Sequence, residues 1–199
     1  MTTTAPAPEE AEPAPPSRSR RRGRLALVLA TTVGVLVALL VVVLATSPPA
    51  TDRIAKSPLV GQAAPPIEGE TVDGTAFDLG RYQGEWVLVN FFATWCGPCR
   101  VEHPELRRFS EDHQRIGDAA VVSVVVYDTA ENVADFFAEE GGDWPVVIDP
   151  DSKTALSYGL VKVPESYLVA PSGIVAAKIT GGVTAEGLDA VIAQIEAGR

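Results

Sequence analysis

Val87-Leu88-Val89-Asn90-Phe91-Phe92-Ala93-Thr94-Trp95-Cys96-Gly97-Pro98-Cys99-Arg100 contains both cysteines of the 199-residue chain and decides how the rest is read. Residues 87–92 form an apolar run interrupted only by Asn90, the pattern of a strand buried on both faces. From Gly97 to about Gln114 the spacing predicts a helix, so the first thiol stands where a strand gives way to a helix. Unsatisfied backbone N–H groups and the positive dipole end at that place stabilise a thiolate, the nucleophile of disulfide exchange. Two cysteines with two residues between them either close a disulfide on each other or hold a metal. The strand-then-helix setting favours the redox alternative, with Cys96 attacking and Cys99, one turn inside the helix, resolving the mixed disulfide.

Working outward, the first quarter of the chain is not globular in composition. Residues 1–16 are almost entirely Ala, Pro, Thr and Glu, which bury too little apolar surface to offset chain entropy. With the arginines 18, 20, 21, 22 and 24 they are expected to form a disordered cytoplasmic tail, residues 1–24. The uncharged apolar run 25–45 follows, and a bilayer core needs roughly 20 such residues as a helix. A cleavable signal peptide shares the basic start but has an apolar region of only about 7 to 15 residues, so a transmembrane anchor is the expectation. Arginines before the span place the N-terminus in the cytoplasm and everything after residue 45 outside the cell membrane. The net charge is −10, and the five Arg and three Glu of residues 1–24 leave −12 on the remainder. So acidic an outer domain argues against nucleic acid or anionic lipid as its target.

Residues 46–57 read as a Pro/Thr/Ser linker, and 58–199 as one domain able to bury a core without further disulfides. Asp73-Gly74 predicts a hairpin between Glu70-Thr71-Val72 and Thr75-Ala76-Phe77. Strands are expected at 119–127, 144–148, 166–170 and 174–180, and helices at 130–140, 152–158 and 184–196, with Pro104 kinking the first helix and Thr184 capping the last. This alternation, ending in a hairpin, is an α/β fold with a mixed central sheet.

The segment from Val87 to Arg100 resembles the active site of thioredoxin-fold proteins. Within that superfamily it is most similar to the membrane-tethered TlpA/ResA/DsbE-type thiol–disulfide oxidoreductases, several of which serve cytochrome c maturation. The resemblance covers nearly all of residues 58–199, including the N-terminal hairpin that plain thioredoxins lack. It implies a thioredoxin-like fold, a mixed sheet flanked by helices. It also makes Val163-Pro164 a cis-proline wall facing the cysteines, whose backbone receives a substrate strand. From Pro164 alone, an ordinary trans proline opening an edge strand would be expected. Glu165 completes a Pro-Glu-Ser-Tyr run similar to the cytochrome-maturation branch.

By the same resemblance Glu102 lies close to the thiols, where a carboxylate can raise their pKa and shuttle a proton; on residue type alone it is a solvated helix glutamate. Asn90 departs from plain thioredoxins, which place a titrating aspartate there. Trp95 reads as a shield beside the disulfide. His103 and His113 read as surface residues, and ligand count makes a metal site unexpected. No cofactor is expected beyond the Cys96–Cys99 pair.

The implied function is an extracytoplasmic reductase of partner-protein disulfides, with apocytochrome c as substrate and a membrane thiol electron donor. Gly97-Pro98 resembles reducing members. The competing readings are an envelope disulfide oxidase, an antioxidant thiol reductase, or a copper-binding module.

Overall fold

A computed structural model describes residues 29–39 and 54–198. The chain divides into two compact units, residues 1–47 and 48–199. In the first, residues 29–39 form a helix, α1, whose apolar side chains, among them Leu29, Val33, Leu36 and Leu39, are all exposed. No described helix is long and apolar enough to cross a membrane. The expected tail 1–24, both ends of the expected 25–45 span, and linker residues 46–53 lie outside the described residues.

The second unit is built on one strand. β4 (Trp86–Phe92) is buried at every position, and its alternate residues feed two cores. Val87, Val89 and Phe91 pack with Val122, Val124, Tyr158 and Tyr167, while Trp86 and Leu88 pack with Leu106, Phe109, Leu168 and Leu188. A strand covered on both faces has no use for polar/apolar alternation, which is why its sequence reads as nearly continuous apolar.

Around it the order is β1 (Ile54–Ala55), β8 (Val175–Thr180), β7 (Glu165–Val169), β4, β5 (Ala119–Val125) and β6 (Val146–Ile148). β4 pairs parallel with β5, and β5 with β6; β7, β8 and β1 add antiparallel. The expected mixed sheet is present. It starts earlier than the sequence suggests, because Ile54 and Ala55, read as linker, pair with Ile179 and Lys178. A two-residue strand is too short to show a period.

The expected hairpin is shifted outward, with β2 at Glu68–Glu70 and β3 at Ala76–Asp78. The reason lies in the turn: Thr71 and Asp73 take up its backbone, Asp73 Oδ1 accepting Thr75 N–H at 3.1 Å and Thr71 donating its hydroxyl to the same oxygen. Val72 N–H then donates to Val146 O at 2.8 Å, so the turn covers the outer edge of β6, a standard way to protect an edge strand.

The helices are α2 (Gly97–Gln114), α3 (Ala130–Glu140), α4 (Lys153–Tyr158) and α5 (Ala185–Ala197). α2 runs as one helix through the exposed Pro104. As expected, Thr184 caps α5, accepting Gly187 N–H at 3.1 Å. Glu105 of α2 adds a second acceptor at that end, for Ala185 N–H at 3.0 Å.

His113 corrects the expectation of a surface residue. Its side chain is 14% exposed and lies between Asp118 (Nδ1, 2.7 Å) and Asp189 (Nε2, 2.9 Å), joining α2 to α5. Burial pulls its pKa down, but hydrogen bonds and charge from both aspartates outweigh this and raise it above the ordinary 6.5. The ring therefore contributes stability fully below that ordinary value and loses it as pH rises through the raised one. His113→Gln is expected to lower the urea midpoint most near about pH 5 and progressively less above neutrality. A difference from wild type that does not change with pH would refute the charged clasp.

Candidate active site

The cysteines occupy the turn between β4 and α2. Asp128, in the loop after β5, fixes that turn: Oδ2 accepts both the Thr94 N–H and the Thr94 hydroxyl at 2.7 Å. Its Oδ1 accepts Thr129 N–H at 2.8 Å and Asn132 Nδ2 at 2.9 Å. Burial raises the Asp128 pKa, yet these hydrogen bonds outweigh it and hold the carboxyl below its usual range. Sequence reading missed this residue. An Asp-Thr pair between an apolar strand and a helical pattern was the available signal, since both types favour helix starts.

Cys96 is the N-cap of α2, its Sγ accepting Cys99 N–H at 3.3 Å. The two sulfurs are joined as a disulfide, with Cα atoms 5.2 Å apart. Gly97 and Pro98 take the first helical positions, where a proline forfeits no hydrogen bond because those N–H groups have no helical partner. Once reduced, Cys96 keeps this backbone donor and the positive helix end.

The cis bond that the resemblance implied is present beside the cysteines. The Val163–Pro164 bond is cis, Pro164 is buried, and Val163 packs against the cluster that contains Cys96 and Cys99. Trp95, expected to shield the disulfide, is 62% exposed, and its Nε1 donates to Tyr127 O at 3.1 Å. Tyr127 is itself exposed and adopts φ 56°, a conformation that residues with a side chain seldom take.

One turn along α2 from Cys99 lies a buried polar network. Glu102, only 2% exposed, is not a solvated helix glutamate. Oε1 accepts Asn90 Nδ2 at 2.9 Å from the centre of β4, and Oε2 accepts Val183 N–H at 3.0 Å from the segment before α5. Asn90 Nδ2 also donates to Ser166 Oγ at 3.1 Å in β7.

His103 is the second correction, being buried rather than on the surface. The rings of Phe136, Phe137 and Trp144 surround it at 4.7, 5.2 and 5.3 Å. Burial holds its pKa below the ordinary value, so the ring is neutral near pH 7 and Nε2–H donates to Gly141 O, 2.7 Å away. α2 is thereby fastened to the end of α3.

A disulfide at a helix N-terminus, a cis-proline wall and a mixed sheet define the class, a thiol–disulfide oxidoreductase of the thioredoxin fold and of the TlpA/ResA/DsbE type. The chain belongs to the AhpC/TSA family, whose model matches residues 60–178. It is 34% identical over 125 residues to the thiol:disulfide interchange protein CycY of Rhizobium leguminosarum bv. viciae, a match spanning 62% of this chain and 65% of that one. It is also 34% identical over 129 residues to the thiol:disulfide interchange protein HelX of Rhodobacter capsulatus, spanning 63% and 70%. Among solved structures, a thioredoxin-family thiol:disulfide interchange protein from Chlorobium tepidum superposes with TM-score 0.63 at 26% identity, covering 71% of this chain and 99% of its own.

Glu102→Ala leaves the donors of Asn90 and Val183 without that acceptor inside the protein. A buried donor left unpaired costs about 1–3 kcal/mol, whereas Glu111→Ala, on the exposed side of α2, is expected to change stability by less than about 0.5 kcal/mol. Urea unfolding of the oxidised proteins checks this, and equal effects from the two substitutions would contradict the network.

Proposed function

We propose that the chain is a membrane-anchored, extracytoplasmic reductase of protein disulfides, acting on apocytochrome c during cytochrome c biogenesis. The observation that carries the chemistry is the Cys96–Cys99 disulfide with Cys96 Sγ accepting the Cys99 N–H in the first turn of α2, beside the cis Val163–Pro164 segment. In the reduced protein, the Cys96 thiolate attacks one sulfur of a substrate disulfide. A mixed disulfide forms and the other substrate sulfur leaves as a thiolate. Cys99 then gives up its proton and attacks Cys96 Sγ, restoring the intramolecular disulfide and releasing the substrate as a dithiol. Two electrons pass to the substrate, and a membrane dithiol donor must return them to the Cys96–Cys99 pair.

Three features support the finer parts of this reading. The apolar 25–45 run behind a basic cluster, with exposed apolar side chains along α1, suits an anchor with the N-terminus in the cytoplasm. The Pro-Glu-Ser-Tyr run at 164–167 and Glu102 resemble the cytochrome-maturation branch, from which the substrate is taken. Glu102, one turn beyond Cys99 and enclosed from solvent, is the carboxylate proposed to exchange the Cys99 proton.

Cys99→Ala removes the resolving thiol, so the variant expressed in its own cell is expected to accumulate partners linked to Cys96 and released by dithiothreitol, while Cys96→Ala accumulates none. Recovery of apocytochromes supports the dedicated role; recovery of many unrelated envelope proteins rejects it. A reduction potential as high as about −120 mV, the range of strong disulfide oxidants, would reject the direction of electron flow. Glu102→Gln is expected to slow the resolving step and alter its pH profile, leaving attack by Cys96 largely unchanged.

A further inference from the structure

The sheet contains a buried ion pair that the redox steps above do not use. Lys178, in the middle of β8, has a side chain 8% exposed, and its Nζ lies 3.0 Å from Glu165 Oε2, on a side chain 2% exposed. Tyr167 stands directly opposite Lys178 and Thr180 directly opposite Glu165, so the pair is a diagonal contact between neighbouring strands. The Lys178 Nζ lies 5.2 Å from the centre of the Tyr167 ring. Burial lowers the Lys178 pKa, but hydrogen bonds and charge from Tyr167 and Glu165 outweigh it, so the ammonium stays charged.

Both charged groups reach into the segment that carries the cis-proline. Lys178 Nζ donates to Gly159 O at 3.4 Å, and Glu165 Oε2 accepts Val161 N–H at 3.2 Å. Residues 159–163 join α4 to Pro164, and Val161 and Lys162 are exposed. A surface loop held by few contacts opens locally at little free-energy cost. Here the ion pair ties its first half to the rigid middle of the sheet.

We infer that Lys178 is a positioning residue for substrate: through Glu165 and Gly159 it braces the loop that sets the Val163 backbone edge against which a polypeptide strand is laid. The inference rests on the proposed reduction of protein disulfides. Lys178 touches neither sulfur. Its removal acts on binding of an extended polypeptide and leaves the thiol chemistry intact.

The test uses the full chain, reduced, with two oxidants. One is 5,5′-dithiobis(2-nitrobenzoate), too small to need the wall; the other is a synthetic peptide with an internal Cys-Ala-Ala-Cys-His disulfide. For Lys178→Met the peptide KM is expected to rise about tenfold with kcat little changed, and the rate with the small disulfide to stay within about twofold of wild type. Because a lone buried carboxylate can unfold the variant, the double variant Lys178→Met, Glu165→Gln removes both charges. It is expected to fold and to show the same rise in peptide KM. An unchanged peptide KM in the folded variants, or equal slowing with both oxidants, overturns the inference. A wild-type protein that reduces the small disulfide but not the peptide overturns the proposed function instead.

Discussion

The hydrogen bond from Asn90 Nδ2 to Glu102 at 2.9 Å is the contact on which the geometry of the site depends. One partner is fixed in the central strand, the other on the helix whose first turn holds the disulfide. The second Glu102 oxygen reaches the backbone before α5, and the Asn90 amide reaches β7. The buried carboxylate of α2 thus meets β4 and the segment before α5 directly, and β7 through Asn90, which fixes the rotation of α2 about its axis and with it the place of Cys96. The arrangement also explains residue 90. An aspartate there has no hydrogen to donate when ionised and would set a second carboxylate against Glu102, whereas the amide supplies two donors.

β7 is gripped from both faces where it leaves the cis-proline. Successive strand residues point to opposite sides, so Ser166 joins the Asn90 network while its neighbour Glu165 pairs with Lys178. The cis-proline segment and the disulfide are therefore both referenced to β4, the first through the β4–β7 pairing and the second through Asn90 and α2. On the Glu165 face the hydrogen bonds are to charged groups and contribute about 1.5–3 kcal/mol each, while the Asn90–Ser166 bond on the other face is neutral and contributes about 0.5–1.5 kcal/mol; both have demanding geometry. Placed on both sides of one strand, they resist its sliding or twisting, which apolar packing alone tolerates.

Much of this was legible in the chain. Val87–Phe92 announced the central strand by composition, Gly97–Gln114 the helix that follows the cysteines, Thr184 the last cap, and Val163-Pro164 a cis bond once a thiol pair stood upstream. The misreadings share a cause. Residues 99, 102, 103, 106, 109, 110 and 113 recur at three- and four-residue steps, and the structure buries that whole face apart from the half-buried His113. Residue type suggested exposure for Glu102 and both histidines, although the spacing placed them with Leu106 and Phe109. Each polar group is tolerated there because a partner from another element meets it: Asn90 and Val183, Gly141, or Asp118 and Asp189. Lys178 was hidden in the same way, since the Glu165 that pairs with it follows the cis-proline and Gly159 lies in a loop. Partners brought from distant parts of the chain leave no local pattern.

The proton exchange proposed for Glu102 requires surroundings that accept both of its charge states. As a carboxylate it receives hydrogens at both oxygens, from Asn90 and from Val183. A protonated Glu102 needs an acceptor in the same space, and the backbone N–H of Val183 cannot become one. An amide at position 90 carries both kinds of group, an N–H to face a carboxylate and an oxygen to face a protonated carboxyl. A valine or leucine at position 90 would fit the strand pattern but strand the carboxyl, and an aspartate would oppose it. The one polar residue in an otherwise apolar strand is thus of a type able to meet a buried carboxyl in either charge state, which the role proposed for Glu102 requires.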